Sequence, residues 1–466
     1  MKAWRRFWFG FELEPARLVL LRVTFFGVLG VDMWNQVSHA PRYGSGGLSI
    51  PHVDLLTLLP APHRELVLVL FCTAAFLSFR AACGVAPRLS AALVAGIFGL
   101  VYFWSQVDSY QHHYLVWMVV ALTAFFPWTP TGRTRDNWPV RLLLVQLGLV
   151  YLWASIAKMD SHWLEGRTLS MQISKDWVRS WVMGVAKSLD TSPLTLWSVA
   201  AWAVMLGELA LAFLLQIRRA WPLALLLGVG FHLGVEVLGY KIGLFSYFMF
   251  ALYTLILPDR IIALAARVYR PMEPGTSRAA ALVLSLVGAA LALALPFPSM
   301  GALAGVLAVL GLATAWRRPG LLTGMAHLVA GLALLTLNAR TDQARDYYKY
   351  LGGDTRRRGE VEVALDAYAN VLRLDPTYVS GWIRLGDLHL RRGLDGDLEA
   401  GLEAYIAATE HQPRRASSWS RVAQAHERLG QDDQAMEAAE RALSIDPEDA
   451  DGRAVLRRLA PATPNP

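Results

Sequence analysis

Long apolar stretches alternate with short polar loops along the first 340 residues of the chain. Most have about 18 to 20 residues, enough for a helix that crosses about 30 Å of hydrocarbon. The pattern predicts about eleven membrane-spanning helices. They lie near residues 16–37, 64–83, 88–106, 113–128, 139–158, 195–216, 220–239, 242–258, 279–296, 300–316 and 320–337.

From about residue 343 the pattern changes to charged helical sequence that repeats itself. An aromatic-x-x-apolar motif begins three successive units at Tyr348, Trp382 and Trp419, and a proline ends each unit at Pro376, Pro413 and Pro447. The spacing is 34 residues, with one unit of 37 that carries a short insertion, GLDGD, expected in a turn. These units resemble tetratricopeptide repeats, which generally bind peptides or partner proteins. Three repeats and a helix near 450–460 suffice for a continuous core.

These patterns predict an all-α protein, a polytopic transmembrane helix bundle of about 11 spans followed by a tetratricopeptide-repeat α-solenoid. Residues 1–260 form the main membrane domain, 261–342 add further transmembrane helices, 343–460 form the repeat domain and 461–466 a tail. The last three spans are rich in Ala, Leu and Gly, and we assign them no chemistry.

The composition agrees with a membrane protein, since 55% of residues are hydrophobic and only 17% are charged. Soluble domains carry about 25% charged residues. The charge is divided unevenly: residues 1–342 hold 27 Lys and Arg against 16 Asp and Glu, and residues 343–466 hold 17 against 21. Arginines in alternate loops follow the positive-inside rule. We therefore predict a lipid bilayer as partner and no nucleic acid.

The arginine-bearing loops place the N-terminus in the cytoplasm. We expect an integral, multi-pass protein of a bacterial inner membrane, with Lys158 and the repeat domain on the outer, periplasmic face. The loop 158–194 is an exception because it carries several basic residues of its own. Its amphipathic sequence is typical of a helix that lies in the membrane interface.

Lys158 closes the apolar run VQLGLVYLWASIA and opens the polar stretch KMDSHWLEG. An ionised lysine at the centre of a membrane helix costs about 2.5–3.5 kcal/mol, and less near its end. One interpretation is a lysine that extends its amine to the interface. The other is a base, because partial withdrawal from water favours the neutral amine.

Three polar clusters lie in or beside the first eight spans, where ionisable groups are candidates for function. They are YQHHYLVW with His112 and His113, KMDSHWLEG with Lys158, Asp160, His162 and Trp163, and FHLGVEVLGYKIGLFSYFMF with His232 and Glu236. We expect the clusters to converge on one cavity in the outer leaflet. No metal is predicted, because a single His/Glu pair lacks the further ligands that zinc needs.

At these residues the sequence resembles the vitamin K-dependent gamma-carboxylase and the wider HTTM membrane-domain family. KMDSHWLEG is similar to the family's element lysine–leucine–aspartate–x–x–tryptophan–x–x–glycine, which places the proposed catalytic base on Lys158. The family commonly has a second lysine just before it, whereas this chain has Ala157. QHHYL is similar to asparagine–histidine–x–tyrosine–leucine, which places the functional histidine on His112, with His113 as the alternative register.

The resemblance extends over roughly residues 15–260. A Phe-His segment followed by Ile-Gly-x-Phe-Ser-Tyr matches His232 and residues 242–247. The family's large outer-face substrate domain does not follow the eighth predicted span. We interpret four further polar residues as a buried structural network: Arg22, Asp32, Glu208 and Glu236. Alternatively, His232 and Glu236 form a satisfied pair that fixes helix packing.

The resemblance implies a carboxylase- and epoxidase-like enzyme of the lyase class. Its cofactor would be a reduced quinone, the hydroquinone of vitamin K or menaquinone, with oxygen and carbon dioxide as co-substrates and a protein glutamate as acceptor. Lys158 and His112 would be catalytic, and His232, Trp163 and His113 would bind substrate. The alternative is a non-enzymatic membrane scaffold whose repeats recruit a polypeptide partner.

Overall fold

The computed structural model describes most of the chain, namely residues 2–9, 13–44, 50–82, 84–108, 111–128, 138–173, 175–240, 242–268 and 341–460. Within these ranges the regular elements are helices and no β-strand occurs. The predicted all-α class is therefore confirmed. The three spans predicted between 279 and 337, and the tail 461–466, lie outside the described residues.

The membrane part is a bundle of long helices joined by short ones. In chain order they are α1 Lys2–Phe9, α2 Pro15–Gln36, α3 Arg64–Ala82, α4 Pro87–Trp104, α5 Gln111–Thr123, α6 Trp138–Ile156, α7 Ser161–Leu164, α8 Arg167–Gln172, α9 Asp176–Ser188, α10 Pro193–Leu214, α11 Trp221–Leu238, α12 Phe245–Tyr253 and α13 Asp259–Val268.

Five of the described helical segments are long and apolar enough to cross a membrane: Arg64–Ala82, Pro87–Trp104, Trp138–Ile156, Pro193–Leu214 and Arg218–Leu238. Two more apolar segments, His112–Thr123 and Phe245–Ile256, are shorter. At 1.5 Å per residue, 12 residues reach only about 18 Å and do not cross the hydrocarbon alone. The predicted count of about eleven spans is thus not reached in the described residues.

Arginines gather at one end of the bundle, which we call the arginine end. There Arg17 in α2 donates to the carbonyls of Leu255 and Leu257. Arg141 at the start of α6 donates to the carbonyl of Gln216, just beyond α10. We call the opposite end, where α2, α4, α6 and α11 finish, the lysine end because it carries Lys158.

The segment after Lys158 forms three short helices, α7 to α9, at the lysine end. Helix α9 buries Val178, Val182 and Ala186 on one face. The neighbouring face exposes Trp177 and Trp181, which are one helical turn apart. This agrees with the amphipathic helix expected between residues 158 and 194.

The repeat part consists of three helix pairs and a final helix. They are α14 Thr341–Arg358, α15 Val361–Leu374, α16 Val379–Arg392, α17 Asp397–His411, α18 Ala416–Arg428, α19 Asp432–Ile445 and α20 Ala450–Leu459. The indole nitrogens of Trp382 and Trp419 donate to the carbonyls of Pro376 and Pro413, at 2.8 and 2.9 Å. The tryptophan that begins a unit is therefore hydrogen-bonded to the proline that ends the previous unit. This bond explains why the aromatic residue and the proline recur together in the repeat. The insertion near 393–396 lies in a turn, as expected.

The first repeat helix packs directly on the membrane bundle. Tyr347 and Leu351 of α14 are buried in the same hydrophobic core as α2 and α3. Gln343 donates from its side-chain amide to Asn35 Oδ1 at the end of α2. The ring of Tyr350 meets His39 edge to face at 5.6 Å. The repeats therefore begin at the lysine end.

Candidate functional site

Lys158 sits in a turn between two helices that the local sequence defines. Helix α6 ends at Ile156, and the Lys158 amide continues with a bond to the Ser155 carbonyl at 3.1 Å. Asp160 then caps α7, because its Oδ1 accepts from the Trp163 amide at 3.0 Å. An acidic N-cap accepts a hydrogen bond from a free helix amide, and its negative charge interacts favourably with the positive end of the helix dipole. The turn is therefore fixed on both sides of the lysine.

Trp163 and Gly166 hold this turn against α10. The Trp163 side chain is buried, and its indole nitrogen donates to the Ala201 carbonyl at 3.3 Å. Its ring centroid lies 5.3 Å from Lys158 Nζ, within the range of a cation–π contact. Gly166 has φ 79°, and a Cβ there would lie 2.4 Å from the Ser198 amide nitrogen. The motif therefore needs glycine both for its backbone conformation and for close approach to α10.

The amine of Lys158 turns towards α10 and pairs with Glu208. Lys158 Nζ lies 2.7 Å from Oε2 and donates to Oε1 at 3.0 Å, with a further bond to the Ala154 carbonyl at 3.2 Å. The Lys158 side chain is 19% exposed and that of Glu208 only 4%. One turn earlier, Ser155 donates to the Met205 carbonyl at 3.0 Å and aligns the two helices. The amine is directed to a carboxylate rather than out to the interface.

A second polar group lies deeper in the bundle, around His232 of α11, which is 1% exposed. Its Nε2 is 2.9 Å from the hydroxyl of Tyr151, which in turn contacts the hydroxyl of Tyr253. Tyr151 precedes Lys158 by two helical turns, so both lie on the same side of α6. The lysine pair and the histidine group are therefore neighbours.

Gly228 makes room for this group. A Cβ at Gly228 would lie 2.5 Å from the ring and hydroxyl of Tyr253. Only glycine at this position of α11 lets the phenol lie between α11 and α6 and reach Tyr151. Gly228, one turn before His232, thus allows the Tyr253 hydroxyl to contact that of Tyr151.

Phe245, the first residue of α12, lies between the two histidine clusters. Its ring centroid is 5.7 Å from that of His112 and 5.9 Å from that of His232. His113 lies on the other side of α5, where it meets Phe98 at 6.2 Å and lines a small cavity that Gln36 also borders. Of the two adjacent histidines, the structure places His112 beside the His232 group.

The residues expected to form one structural network lie in separate places. Arg22 of α2 donates to the carbonyls of Ala82 and Trp128 at the arginine end, at 3.3 and 3.5 Å. Asp32 is buried ten residues further along α2, about 15 Å away along the axis. Glu208 pairs with Lys158 instead. Neither Arg22 nor Asp32 bonds to Glu208.

Glu236 follows His232 by one turn, yet the two share no hydrogen bond. The Oε1 atom of Glu236 is buried and has no partner among the described residues. The same holds for His232 Nδ1. His232 and Glu236 therefore do not form the hydrogen-bonded pair that the sequence suggested, and His232 bonds to Tyr151 instead.

Two residues of this region, Tyr151 and Tyr253, were not identified from the sequence. Tyr151 precedes Lys158 by seven residues, or two helical turns, so helical spacing alone offered a signal for it. Tyr253 gave no such signal, because it reaches the site through the packing of α12, whereas Phe245 lies within the matched run 242–247. Among the described residues, no three His, Cys, Asp or Glu side chains cluster in a way that could hold a metal ion.

Comparison with known proteins divides the chain as the structure does. Residues 12–260 match the HTTM domain, and residues 416–460 match a tetratricopeptide repeat. No curated protein matches the sequence.

Several solved structures are similar to parts of the chain. MamA is 21% identical over 25% of this chain and 65% of its own, with a TM-score of 0.23. The first TPR of Spaghetti (RPAP3), bound to an HSP90 peptide, is 19% identical over 25% of this chain and 93% of its own, with a TM-score of 0.23. TTC0263, a thermophilic TPR protein of Thermus thermophilus, is 22% identical over 30% and 75%, with a TM-score of 0.23.

The HTTM match spans the helices that carry Lys158, Glu208 and His232, and it covers more than half of the 466 residues. The apolar helices of the same region indicate a membrane protein. The chain belongs to the HTTM domain family and carries tetratricopeptide repeats in its C-terminal part.

Proposed function

We propose that the HTTM domain binds a hydroquinone from the bilayer and that Lys158 takes a proton from one of its hydroxyl groups. The Lys158–Glu208 pair carries this proposal. A base must first lose its own proton, and the Glu208 carboxylate at 2.7 Å is placed to accept it. The transfer leaves a neutral amine beside a neutral acid, so the pair has no net charge before or after. Such a transfer is tolerated where water is scarce.

The neighbouring residues fit an aromatic diol. Phe245 and Trp163 offer ring surfaces on two sides of the polar groups. His232 presents an unpartnered nitrogen, and His112 lies across Phe245 from it. Aromatic walls with a few polar groups are typical of sites for small apolar ligands. In this proposal the histidines orient a ring oxygen and stabilise the charge that develops on it.

The family resemblance extends the proposal to oxygen and carbon dioxide as co-substrates. When bound, a hydroquinone of this kind supplies, through its reaction with oxygen, the strong base that carboxylation of a protein glutamate requires. The repeats begin at the lysine end, which favours a polypeptide substrate or partner held near the site. The arginine end would face the cytoplasm of a bacterial inner membrane and the lysine end the periplasm.

The test uses purified full-length protein with reduced menaquinone, oxygen, labelled bicarbonate and a glutamate-containing peptide as acceptor. We expect epoxide formation by the wild type, and its loss in Lys158→Ala. Lys187→Ala is the matched control, because Lys187 is exposed on α9. Labelled peptide would show that carboxylation is coupled to it. Absence of epoxide from the wild type, or equal activity of Lys158→Ala, would refute the proposal.

A second candidate function is a membrane scaffold, and the packing of α14 favours it. Since Tyr347 and Leu351 are buried in the bundle core, a partner bound to the repeats would be held in a fixed position on the membrane. Crosslinking through residues 343–460 should then recover one defined partner, and Lys158→Ala should leave the cellular phenotype unchanged. A phenotype lost with Lys158→Ala, while the partner is still captured, would favour the enzyme.

A further inference from the structure

We propose that His232 and Glu236 form a donor and acceptor clamp that selects the reduced ligand, a hydroquinone, over the oxidised quinone. This inference rests on the proposed function and assigns Glu236 a role in substrate specificity. It starts from two buried polar atoms on one face of α11, His232 Nδ1 and Glu236 Oε1. Neither has a partner in the described part of the chain.

The direction of the hydrogen bonds from Tyr253 through Tyr151 to His232 decides which ring nitrogen of His232 carries the proton. If Tyr253 donates to Tyr151 and Tyr151 donates to His232 Nε2, both hydroxyl protons are used. The reverse order would leave the Tyr253 proton without an acceptor in the described structure and would put the proton of His232 on Nε2. Buried donors are nearly always satisfied. Each order leaves one buried donor unpaired in the free protein, but a ligand oxygen that accepts from Nδ1–H satisfies every donor only in the first order, which puts the remaining proton of His232 on Nδ1.

His232 Nδ1 thus becomes a buried donor that lacks an acceptor. Glu236 follows by four residues, so both side chains lie on the same face of α11. Its Oε1 is a buried acceptor without a donor among the described residues. Leaving both unpaired costs free energy that a bound group bridging them would recover.

The bridging group must accept one hydrogen bond and donate another. A phenolic hydroxyl does both, because its oxygen accepts from Nδ1–H and its proton is donated to the carboxylate. A quinone carbonyl only accepts, so it would leave Glu236 unpaired and place its oxygen near a carboxylate. The clamp therefore discriminates between the two oxidation states. It would hold one ring hydroxyl while Lys158 acts on the other.

Anaerobic binding to the full-length protein in lipid nanodiscs tests the clamp, with a short-chain menaquinone and its hydroquinone as probes. We expect the wild type to bind the hydroquinone about tenfold or more tightly than the quinone, as for a hydrogen bond to a charged acceptor. Glu236→Gln can donate to a carbonyl as well as accept, so the preference should fall to about onefold to threefold. Glu236→Leu should weaken hydroquinone binding but should not weaken quinone binding.

Two controls separate this inference from the proposed function. Lys158→Ala should lose turnover but keep the binding preference, because it leaves the clamp intact. Glu14→Gln makes the same chemical change at an exposed carboxylate at the arginine end and should alter neither. Equal preference in the wild type and Glu236→Gln, with hydroquinone still bound and turned over, would overturn the clamp alone. Absence of hydroquinone binding in a folded wild type would overturn both.

Discussion

The buried cations at the two ends of the membrane bundle differ in their ability to give up a proton. At the arginine end, Arg17, Arg22 and Arg141 donate to backbone carbonyls where other helices finish, and Arg17 also pairs with the exposed carboxylate of Asp259. At the lysine end, the amine of Lys158 pairs with the side chain of Glu208. An arginine keeps its proton whatever its partner, whereas a lysine amine can give its proton to a carboxylate. The arginines therefore fix the ends of helices, whereas Lys158 is able to exchange a proton.

The largest expected effect comes from breaking the pair at the lysine end. Glu208→Leu leaves the Lys158 amine buried without its counter-ion, which should lower the free energy of unfolding by about 3–5 kcal/mol. The double variant Lys158→Met/Glu208→Leu should regain most of that stability but no hydroquinone turnover. Denaturant unfolding in detergent measures the first effect and epoxide formation the second. A stable Glu208→Leu protein would show that the pair is not desolvated as described.

A smaller effect on stability, without an effect on binding, is expected at the arginine end. Arg17→Met removes the charge-assisted bonds to the carbonyls of Leu255 and Leu257 and the ion pair with the exposed Asp259, so the free energy of unfolding should fall by about 3 kcal/mol. Hydroquinone affinity should not change. Arg219→Met, at an exposed position of the same end, should stay within about 0.5 kcal/mol of the wild type. A change in hydroquinone affinity on Arg17→Met would erase the distinction between the two ends.

The next largest effect is expected from Gly166, which holds the turn that carries Lys158 against α10. Gly166→Ala places a side chain at φ 79° and against the Ser198 amide, and should cost about 1–3 kcal/mol. Because the turn moves away from α10, turnover should fall as well. Gly184→Ala is a suitable control, since a Cβ there meets nothing within 4 Å and alanine favours the helix. Equal turnover in both variants would show that Lys158 does not depend on this turn for its position.

The smallest expected effect concerns the tyrosine that joins the two polar groups. Tyr151→Phe removes the hydroxyl bonded to His232 Nε2, and should weaken hydroquinone binding by about 1 kcal/mol, or roughly fivefold. The ring remains, but the buried Tyr253 hydroxyl and His232 Nε2 lose their partner, so the free energy of unfolding should fall by about 1 kcal/mol as well. Tyr378→Phe, in the repeat part, makes the same change away from the site. Unaltered affinity in Tyr151→Phe would mean that the tyrosines do not orient His232.

The sequence predicted the parts of the site that depend on local structure. The motif around Lys158 could be recognised because Asp160, Trp163 and Gly166 act within a few residues of one another. The order of the apolar helices up to residue 260 followed from hydrophobicity alone. The short lengths of α5 and α12 did not, because apolar residues in the adjoining turns extend the pattern beyond the helices.

Contacts between distant helices could not be predicted in the same way. Glu208 is fifty residues from Lys158, and their pairing depends on α6 packing against α10 in one register. The sequence suggested instead that Glu208 belonged with Arg22 and Asp32, all of them polar groups in apolar surroundings. Polarity identified the residues, but only packing determined their partners. Tyr253 illustrates the same limit, since Gly228 on another helix makes its position possible.

The burial of Tyr347 and Leu351 has a practical consequence for dividing the protein. A truncation before residue 341 would uncover an apolar patch on α2 and α3, and the shortened bundle would tend to aggregate. An isolated repeat fragment starting at 341 would carry the complementary patch. Helix α14 belongs to both halves, so a cut that keeps the bundle soluble in detergent should fall after Arg358, in the turn before α15.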